Sequence, residues 1–364
     1  MDVSLIKRAV LATSGHDPSD YKLPQWTWIV LALDLIILLP VCVIFNYTLK
    51  NVYPVFAIIE DETPPAYEPV ALHEGDDAGR PASSIIKSDS AAGAGARYGG
   101  GGDTGSLRGI NRLLMAHGGV TANLRGLSCY LAQSAMTTAL VAVFDSALGG
   151  LFTPVATLLA ALALVQFSAA WVHVVVTPPS PRRFWQRLPP FRRAFDATWR
   201  PVTLHWFACE AARWLPLALA GLSGLTLPEL QITGDRQASV HSPDNVFVAK
   251  TLALALATLL AALFLVVPTG VVLVRVQASL LPAGDDAVVP FDRSFAGRVE
   301  SALVGGRGFA SMADAWHTFG RPAWRRLLVL YAKIFLASVA GFVLVTALIL
   351  PEAILIASNS ARLD

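Results

Sequence analysis

The sequence predicts an all-α membrane protein with about six transmembrane helices. Of its 364 residues, 54% are hydrophobic and 15% are charged, and the mean hydropathy is +0.54. Soluble domains carry about 25% charged residues. The clearest membrane-spanning stretch lies between Lys250 and Arg275, whose 24 intervening residues include no charged side chain. As a helix, this stretch is about 36 Å long, which is enough to cross a hydrocarbon layer about 30 Å thick.

Residues 1–25 form an N-terminal segment without the apolar core and cleavage site of a signal peptide. The first transmembrane helix is predicted over residues 26–49, where aromatic side chains at both ends are typical of interfacial anchors. Pro40 lies within this helix and is expected to kink it. Asp34 lies within it as well, at a depth where a carboxylate is costly and usually functional or paired.

Residues 50–106 are predicted to form a disordered loop, which is acidic at first and then rich in small residues. The stretch AAGAGARYGGGGDTG cannot bury a hydrophobic core. The loop also contains the tetrapeptide PPAY, formed by Pro64, Pro65, Ala66 and Tyr67. WW domains bind such segments because the two prolines preset a polyproline II backbone. Two interpretations stay open, a ligand for a WW-domain ubiquitin ligase and a proline-rich spacer beside the membrane.

Residues 107–364 are predicted to form a membrane domain with about five further transmembrane helices. A surface helix precedes these spans, which are expected near residues 128–148, 151–177, 202–227, 246–282 and 327–357. The loops after the third and fifth spans hold six arginines each, whereas the loop after the fourth holds one. Because basic loops stay on the cytosolic or matrix side, we expect the long loops there. Whether the membrane is mitochondrial or belongs to the endomembranes stays open.

Long and short loops alternate, so the spans pair into three helical hairpins. This architecture resembles the mitochondrial carrier family, in which three hairpins surround a substrate path on a pseudo-threefold axis. The family ends each odd span with Pro-x-acid-x-x-base-x-base-x-Gln and places an aromatic–acid pair on the even spans. The residues that match these motifs are Pro268, Arg275 and Gln277 in the fifth span, Pro178 and Arg183 in the third, Pro40 in the first, and Phe144 and Asp145 in the second.

The three acidic positions of that motif are occupied by other residues, namely Cys42, Ser180 and Gly270. In the family, the acid–base pairs close the matrix gate between the odd spans. The resemblance therefore implies a divergent carrier-like transporter, or a scaffold that has lost transport. A proline kink in any membrane helix would produce part of the same pattern.

The chain also resembles a group of fungal multi-pass membrane proteins of uncharacterised function. The stretches that carry this resemblance are EDETPPAYEPVAL, PFDRSF and WHTFGRPAWRRLLVLYAK. Some members of the group bear names that invoke ubiquitin carriers or ubiquitin conjugation. The sequence does not support that chemistry, because it lacks the His-Pro-Asn motif and its cysteines lie in apolar stretches, where a thiolate is not favoured.

Three charged residues of the predicted spans form a candidate site. Glu210 and Arg213 stand three apart in the fourth span and can pair along one helix face. Together with Asp34 they form a candidate intramembrane site for a solute or a proton. The alternative is that Glu210 and Arg213 only neutralise each other within the bundle.

No enzyme, metal or cofactor site is predicted. The cysteines, Cys42, Cys129 and Cys209, form no CxxC pair, and His173 and His205 have no ligand partner at metal-binding spacing. No phosphate-binding loop, GxSxG or HExxH motif is present. The net charge of +2 does not indicate nucleic acid as a partner. The partners we expect are the lipid bilayer and, through PPAY, a WW-domain protein.

Overall fold

The structure is a computed structural model that describes residues 21–22, 26–61, 103–224, 245–282, 284–300, 305–359 and 361–362. Within these ranges the regular secondary structure is helical, apart from an antiparallel pairing of β1, Tyr21–Lys22, with β2, Ala361–Arg362. The helices are α1 (Thr27–Ile59), α2 (Leu107–Gly118), α3 (Leu127–Leu148), α4 (Thr153–Ala163), α5 (Val165–Val176), α6 (Phe191–Leu222), α7 (Asn245–Ser279), α8 (Met312–His317) and α9 (Arg321–Asn359).

Four helical stretches are long and apolar enough to cross a membrane, and a bent pair makes a fifth candidate. The four are α1, α3 with the turn before it, α7 and α9. The bent pair is α4 with its preceding turn followed by α5, and its two halves meet at 59°. The prediction of an all-α membrane fold is thus confirmed at the level of four to five spans. The predicted fourth span lies in α6, which does not reach the same apolarity because Glu210 and Arg213 interrupt it.

Helix α1 continues to Ile59, ten residues beyond the predicted end at residue 49. Its last turns, Tyr53–Ile59, are buried throughout. Tyr47 and Lys50, which suggested an interface, lie within the helix rather than at its end. The prediction of a disordered loop from residue 50 therefore does not hold for residues 50–61, nor for the ordered turn and helix start at 103–106. The rest of that predicted loop lies outside the described residues.

Two helices contain a wide π-helical segment directly before a proline. Residues Ile44–Val52 precede Pro54 in α1, and Ala262–Val266 precede Pro268 in α7. A proline lacks an N–H and its ring clashes with the carbonyl four residues earlier. In both helices that earlier residue, Lys50 or Phe264, lies in the wide segment. The wider turn thus accommodates the proline without ending the helix.

The hydrophobic core lies at one end of the bundle. We call this the basic end, and it contains the ends of α1, α5 and α7 and the starts of α6 and α9. The largest cluster joins the end of α1 to α2, α5, α7 and α9. At the opposite, distal end, α1 and α9 expose many large apolar side chains, including Ile29, Ile36, Phe342 and Leu350. Such surfaces are expected to face lipid.

The segment between α7 and α9 packs onto the basic end. Val288 and Val289 are buried in the main cluster, and Phe295 and Ala310 are buried in a second one. The Val288 N–H donates to the carbonyl oxygen of Val176 at 2.8 Å, which joins the segment to the end of α5. The described part of this predicted polar loop therefore covers the helix ends.

Candidate functional site: the ion-paired basic end

Arg275 is the most deeply buried cation among the described residues, with 1% of its surface exposed. It lies in the last turns of α7 and reaches the end of α1. One guanidinium nitrogen, Nη1, donates to the carbonyl oxygen of Ile58 at 3.2 Å and pairs with Asp61 Oδ1 at 3.4 Å. The other, Nη2, donates to the hydroxyl of Thr318 at 3.1 Å. Because a guanidinium carries its donors in a planar fork, one side chain joins α1, α7 and the segment before α9.

Two phenylalanine rings flank this guanidinium. Its central carbon lies 5.1 Å from the ring centroid of Phe295 and 5.5 Å from that of Phe319. A cation over an aromatic face is attracted by the ring quadrupole, more strongly when both are desolvated. The rings thus help to bury the guanidinium, whereas the Asp61 side chain stays partly exposed.

Asp61 is held by both of its carboxylate oxygens. Besides its contact with Arg275, it accepts the backbone N–H of Asp292 on Oδ2 at 2.8 Å. Burial raises the pKa of Asp61, and the Arg275 guanidinium and the Asp292 N–H offset part of that rise. The carboxylate therefore depends on its two partners to stay charged in a partly dry site.

A second ion pair lies next to the first. Arg326, near the start of α9, pairs with the carboxylate of Glu60 at 3.3 Å and donates to the Glu60 carbonyl oxygen at 2.6 Å. The hydroxyl of Thr104 donates to the same carboxylate. Adjacent acids at the end of α1 thus bind α7 and α9 separately.

A third ion pair joins the loop after α5 to the segment after α7. Arg187 Nη2 lies 3.1 Å from Asp285 Oδ2 and donates to the hydroxyl of Thr177 at 2.7 Å. The three pairs connect helix ends that are distant in sequence. Chemically, this layer can hold the basic end closed.

The carrier-like motif residues fall into two groups. Arg275 and Gln277 are buried in the layer just described, and Gln277 donates from Nε2 to the hydroxyl of Ser168 at 2.8 Å. Arg183 instead lies exposed over the ring of Trp185 at 5.0 Å. The remaining positions lie at kinks or turns. Pro40 and Pro268 lie inside helices, and Pro178 follows α5. Asp145, next to Phe144, accepts a hydrogen bond from the Thr153 hydroxyl at the turn after α3.

The predicted cluster of Asp34, Glu210 and Arg213 does not form. Glu210 and Arg213 do pair within α6, at 2.9 Å between Oε1 and Nη1. Asp34 contacts neither of them, and its carboxyl hydrogen-bonds to that of Glu352 on α9. The reason is helix order, because α1 packs antiparallel to α9. The same packing places Phe45 against Gly341, where an added Cβ would lie 2.9 Å from the ring.

The carboxyl groups of Asp34 and Glu352 interact where α1 packs against α9. Glu352 is also a carboxylate within a predicted span, but the sequence does not indicate which helix packs against Asp34. The prediction passed over Glu352 in favour of charges of opposite sign.

The described histidines and cysteines lie mostly in helix contacts. Among the described residues, no group of three or more His, Cys, Asp or Glu side chains could hold a metal ion. His173 Nε2 lies 2.9 Å from the carbonyl oxygen of Gln277, and His205 contacts Thr269 and Cys209. Cys129 is buried and Cys42 is exposed on α1. The PPAY residues Pro64, Pro65 and Tyr67 lie outside the described residues.

No protein-family model, no curated protein and no solved structure matches this chain. The resemblances to mitochondrial carriers and to fungal multi-pass proteins therefore stay predictions. What can be said of function comes from the basic end and the helices that it joins.

Proposed function

We propose that the protein is a divergent carrier-like membrane transporter whose basic end is closed by ion pairs. The observation that carries this proposal is the contact between Arg275 and Asp61. It joins the first and fifth predicted spans, which are both odd, at the end where carriers place their gate. The acid comes from the end of α1, nineteen positions after Cys42 in the motif. A gate closed by Arg275 and Asp61 does not require an acid at the position that Cys42 occupies in the motif.

The same proposal includes α6 as a sixth span, with the spans arranged as three hairpins. Helix α6 packs against α4, α5 and α7 and has 32 residues, about 48 Å of helix. Its two membrane-depth charges, Glu210 and Arg213, neutralise each other. Under the positive-inside rule, the basic end faces the cytosol or the matrix.

Opening the gate should create a leak. In sealed proteoliposomes that contain a pH-sensitive dye, we expect Arg326→Ala to raise proton leakage several-fold over the unchanged chain, because it frees α9 from Glu60. Arg325→Ala is the matched control, since that neighbouring side chain is exposed. Hydrogen exchange at residues 55–61 should rise in the first variant only. If exchange rises without any leak, the bundle is a scaffold and has no transport path.

A second candidate function is that of a membrane-bound ligand for a WW-domain ubiquitin ligase. Asp61 is fixed at the basic end, and Pro64 follows three residues later, which is at most about 11 Å of extended chain. In the sequence, the PPAY motif therefore follows shortly after the basic end, which the arginines assign to the cytosol or matrix side. This position would present the motif to a soluble domain near the membrane.

Tyr67→Ala should abolish binding of a recombinant WW domain to the full chain in detergent, because the aromatic groove loses its tyrosine. Tyr98→Ala removes a tyrosine from the same loop and should leave binding unchanged. An epitope inserted near Gly100 tests the side: proteolysis from the cytosol supports this function. Equal binding by both variants, or an epitope protected inside mitochondria, would exclude it.

A further inference from the structure

A pocket of about 500 Å³ opens at the basic end between the start of α3 and the end of α5. Its walls come from the turn before α3, from α5 and from the loop that follows α5. No carboxylate lines it, whereas four arginines do: Arg125, Arg182, Arg183 and Arg187. We call it the Arg125 pocket. It does not belong to the ion-paired layer, although Arg187 contributes to both.

Arg125 forms part of the pocket wall, and one of its guanidinium nitrogens has no hydrogen-bond partner. The residue is 9% exposed, and its Nη1 donates to the carbonyl oxygens of Thr177 at 3.1 Å and Val175 at 3.4 Å. Its Nη2 is buried and has no hydrogen-bond partner. A buried donor without an acceptor costs free energy, and an anionic oxygen in the pocket would remove that cost.

Gly118 lies beside this nitrogen. A Cβ at that position would lie 3.7 Å from Nη2, 3.3 Å from Pro179 and 3.1 Å from Ala122, and all three of these residues line the pocket. A larger residue at position 118 would therefore crowd the wall next to the unpaired donor. The glycine at position 118 therefore lies next to Nη2 of Arg125, the donor that has no acceptor.

Two of the four arginines in the pocket have no acidic partner among the described residues. Arg187 is neutralised by Asp285, whereas Arg182 and Arg183 are exposed and no described acid pairs with either. Arg125 and Arg187 also repel each other across the wall. Several guanidinium groups that converge without acids are suited to a phosphate, whose oxygens accept paired N–H donors.

The position of the pocket points to a lipid as the source of that phosphate. It lies at the basic ends of α3 and α5, two of the candidate membrane-spanning elements. Trp185 is 50% exposed at its rim, and exposed tryptophans are typical of the membrane interface. Basic pockets between transmembrane helices bind phospholipid headgroups. We propose that the Arg125 pocket binds the phosphate of an anionic phospholipid headgroup.

The test compares lipid binding by variants of the full chain purified in detergent. Retention of phosphatidylglycerol against phosphatidylcholine is measured by native mass spectrometry over a lipid titration. We expect preferential binding of phosphatidylglycerol, and about tenfold weaker binding by Arg182→Gln/Arg183→Gln. These side chains are exposed, so the variant should fold. The matched control is Arg192→Gln/Arg200→Gln, which removes two exposed arginines of the same end outside the pocket and should bind as the unchanged chain does.

Three results would overturn the proposal. Equal weakening by both double variants would mean that only the bulk charge of the basic end attracts the lipid. Equal retention of the two lipids by the unchanged chain would mean that the pocket does not select a charged headgroup. If inorganic phosphate alone displaced phosphatidylglycerol and raised the thermal unfolding midpoint, the ligand would be a free phosphate instead of a lipid.

Discussion

Arg275→Met is expected to destabilise the folded chain by about 3 kcal/mol. The substitution keeps most of the volume but removes the donors to Ile58, Thr318 and Asp61. It also leaves the Asp61 carboxylate partly buried without its cation. Breaking one member of such a pair costs more than replacing both, because the remaining charge stays desolvated. The thermal unfolding midpoint of the purified protein measures the effect.

The loss should depend on pH in a defined direction. Burial already raises the pKa of Asp61 above its unfolded value, and without Arg275 it rises further. A raised pKa means that the protonated acid favours the folded state and that stability falls as pH rises through the folded pKa. The deficit of Arg275→Met should therefore shrink toward acidic pH.

Two further variants complete this experiment. Adding Asp61→Asn should recover part of the stability, because the double variant buries no orphan charge. Arg325→Met, on an exposed side chain of the same region, should change the midpoint little. A pH-independent deficit that Asp61→Asn does not relieve would mean that Arg275 contributes packing alone.

Gly126→Ala is the second substitution with a large expected effect, a loss of about 2 kcal/mol. Gly126 precedes α3 with φ +76°, which L residues rarely adopt. An added Cβ would lie 3.1 Å from the Tyr47 hydroxyl and 3.2 Å from both Trp171 and Val175. Tyr47 is fixed there, since its hydroxyl donates to the Arg125 carbonyl oxygen and accepts the Trp171 indole N–H. The crowding therefore adds to the backbone strain.

Gly297→Ala separates those two contributions. Gly297 has nearly the same φ, +75°, and nothing lies within 4 Å of its added Cβ. It should therefore show only the backbone cost, and the thermal unfolding midpoint should fall less than for Gly126→Ala. Equal shifts in the two variants would mean that α1 and α5 do not pack tightly around Gly126.

The sequence predicted the helical membrane class because a charge-free stretch as long as the one before Arg275 is typical of a transmembrane helix. It also singled out Arg275 and Gln277 through the spacing of a family motif, and both side chains are buried at the basic end. It could not place their partners, because Asp61 lies just after a helix whose end was mispredicted. Aromatic residues and Lys50 suggested a membrane interface, whereas the helix continues into a protein core. Hydropathy indicates where contact with lipid ends, but it gives little indication of where the helix itself ends.

The pairing of Asp34 shows a different limit. Attraction between opposite charges made Glu210 and Arg213 natural partners for it, but contact depends on which helices are neighbours. Antiparallel packing of α1 on α9 brings Glu352 to Asp34, and nothing local to either residue encodes that neighbour. The Arg125 pocket was missed for the same reason, since its arginines come from two loops more than fifty positions apart.

The length of α1 has a consequence for how the fold is stabilised. Its 33 residues extend about 50 Å, well beyond a bilayer core of about 30 Å. Two parts of this one helix are therefore stabilised differently. Its distal half exposes apolar side chains that suit a hydrocarbon environment, and its other end is buried in the protein core. Removal of lipid should destabilise the distal half, whereas urea or guanidinium should weaken the hydrophobic packing of the buried end. In the part of the chain that the structure describes, the same helices thus carry a lipid-facing surface at the distal end and a water-excluding core at the basic end.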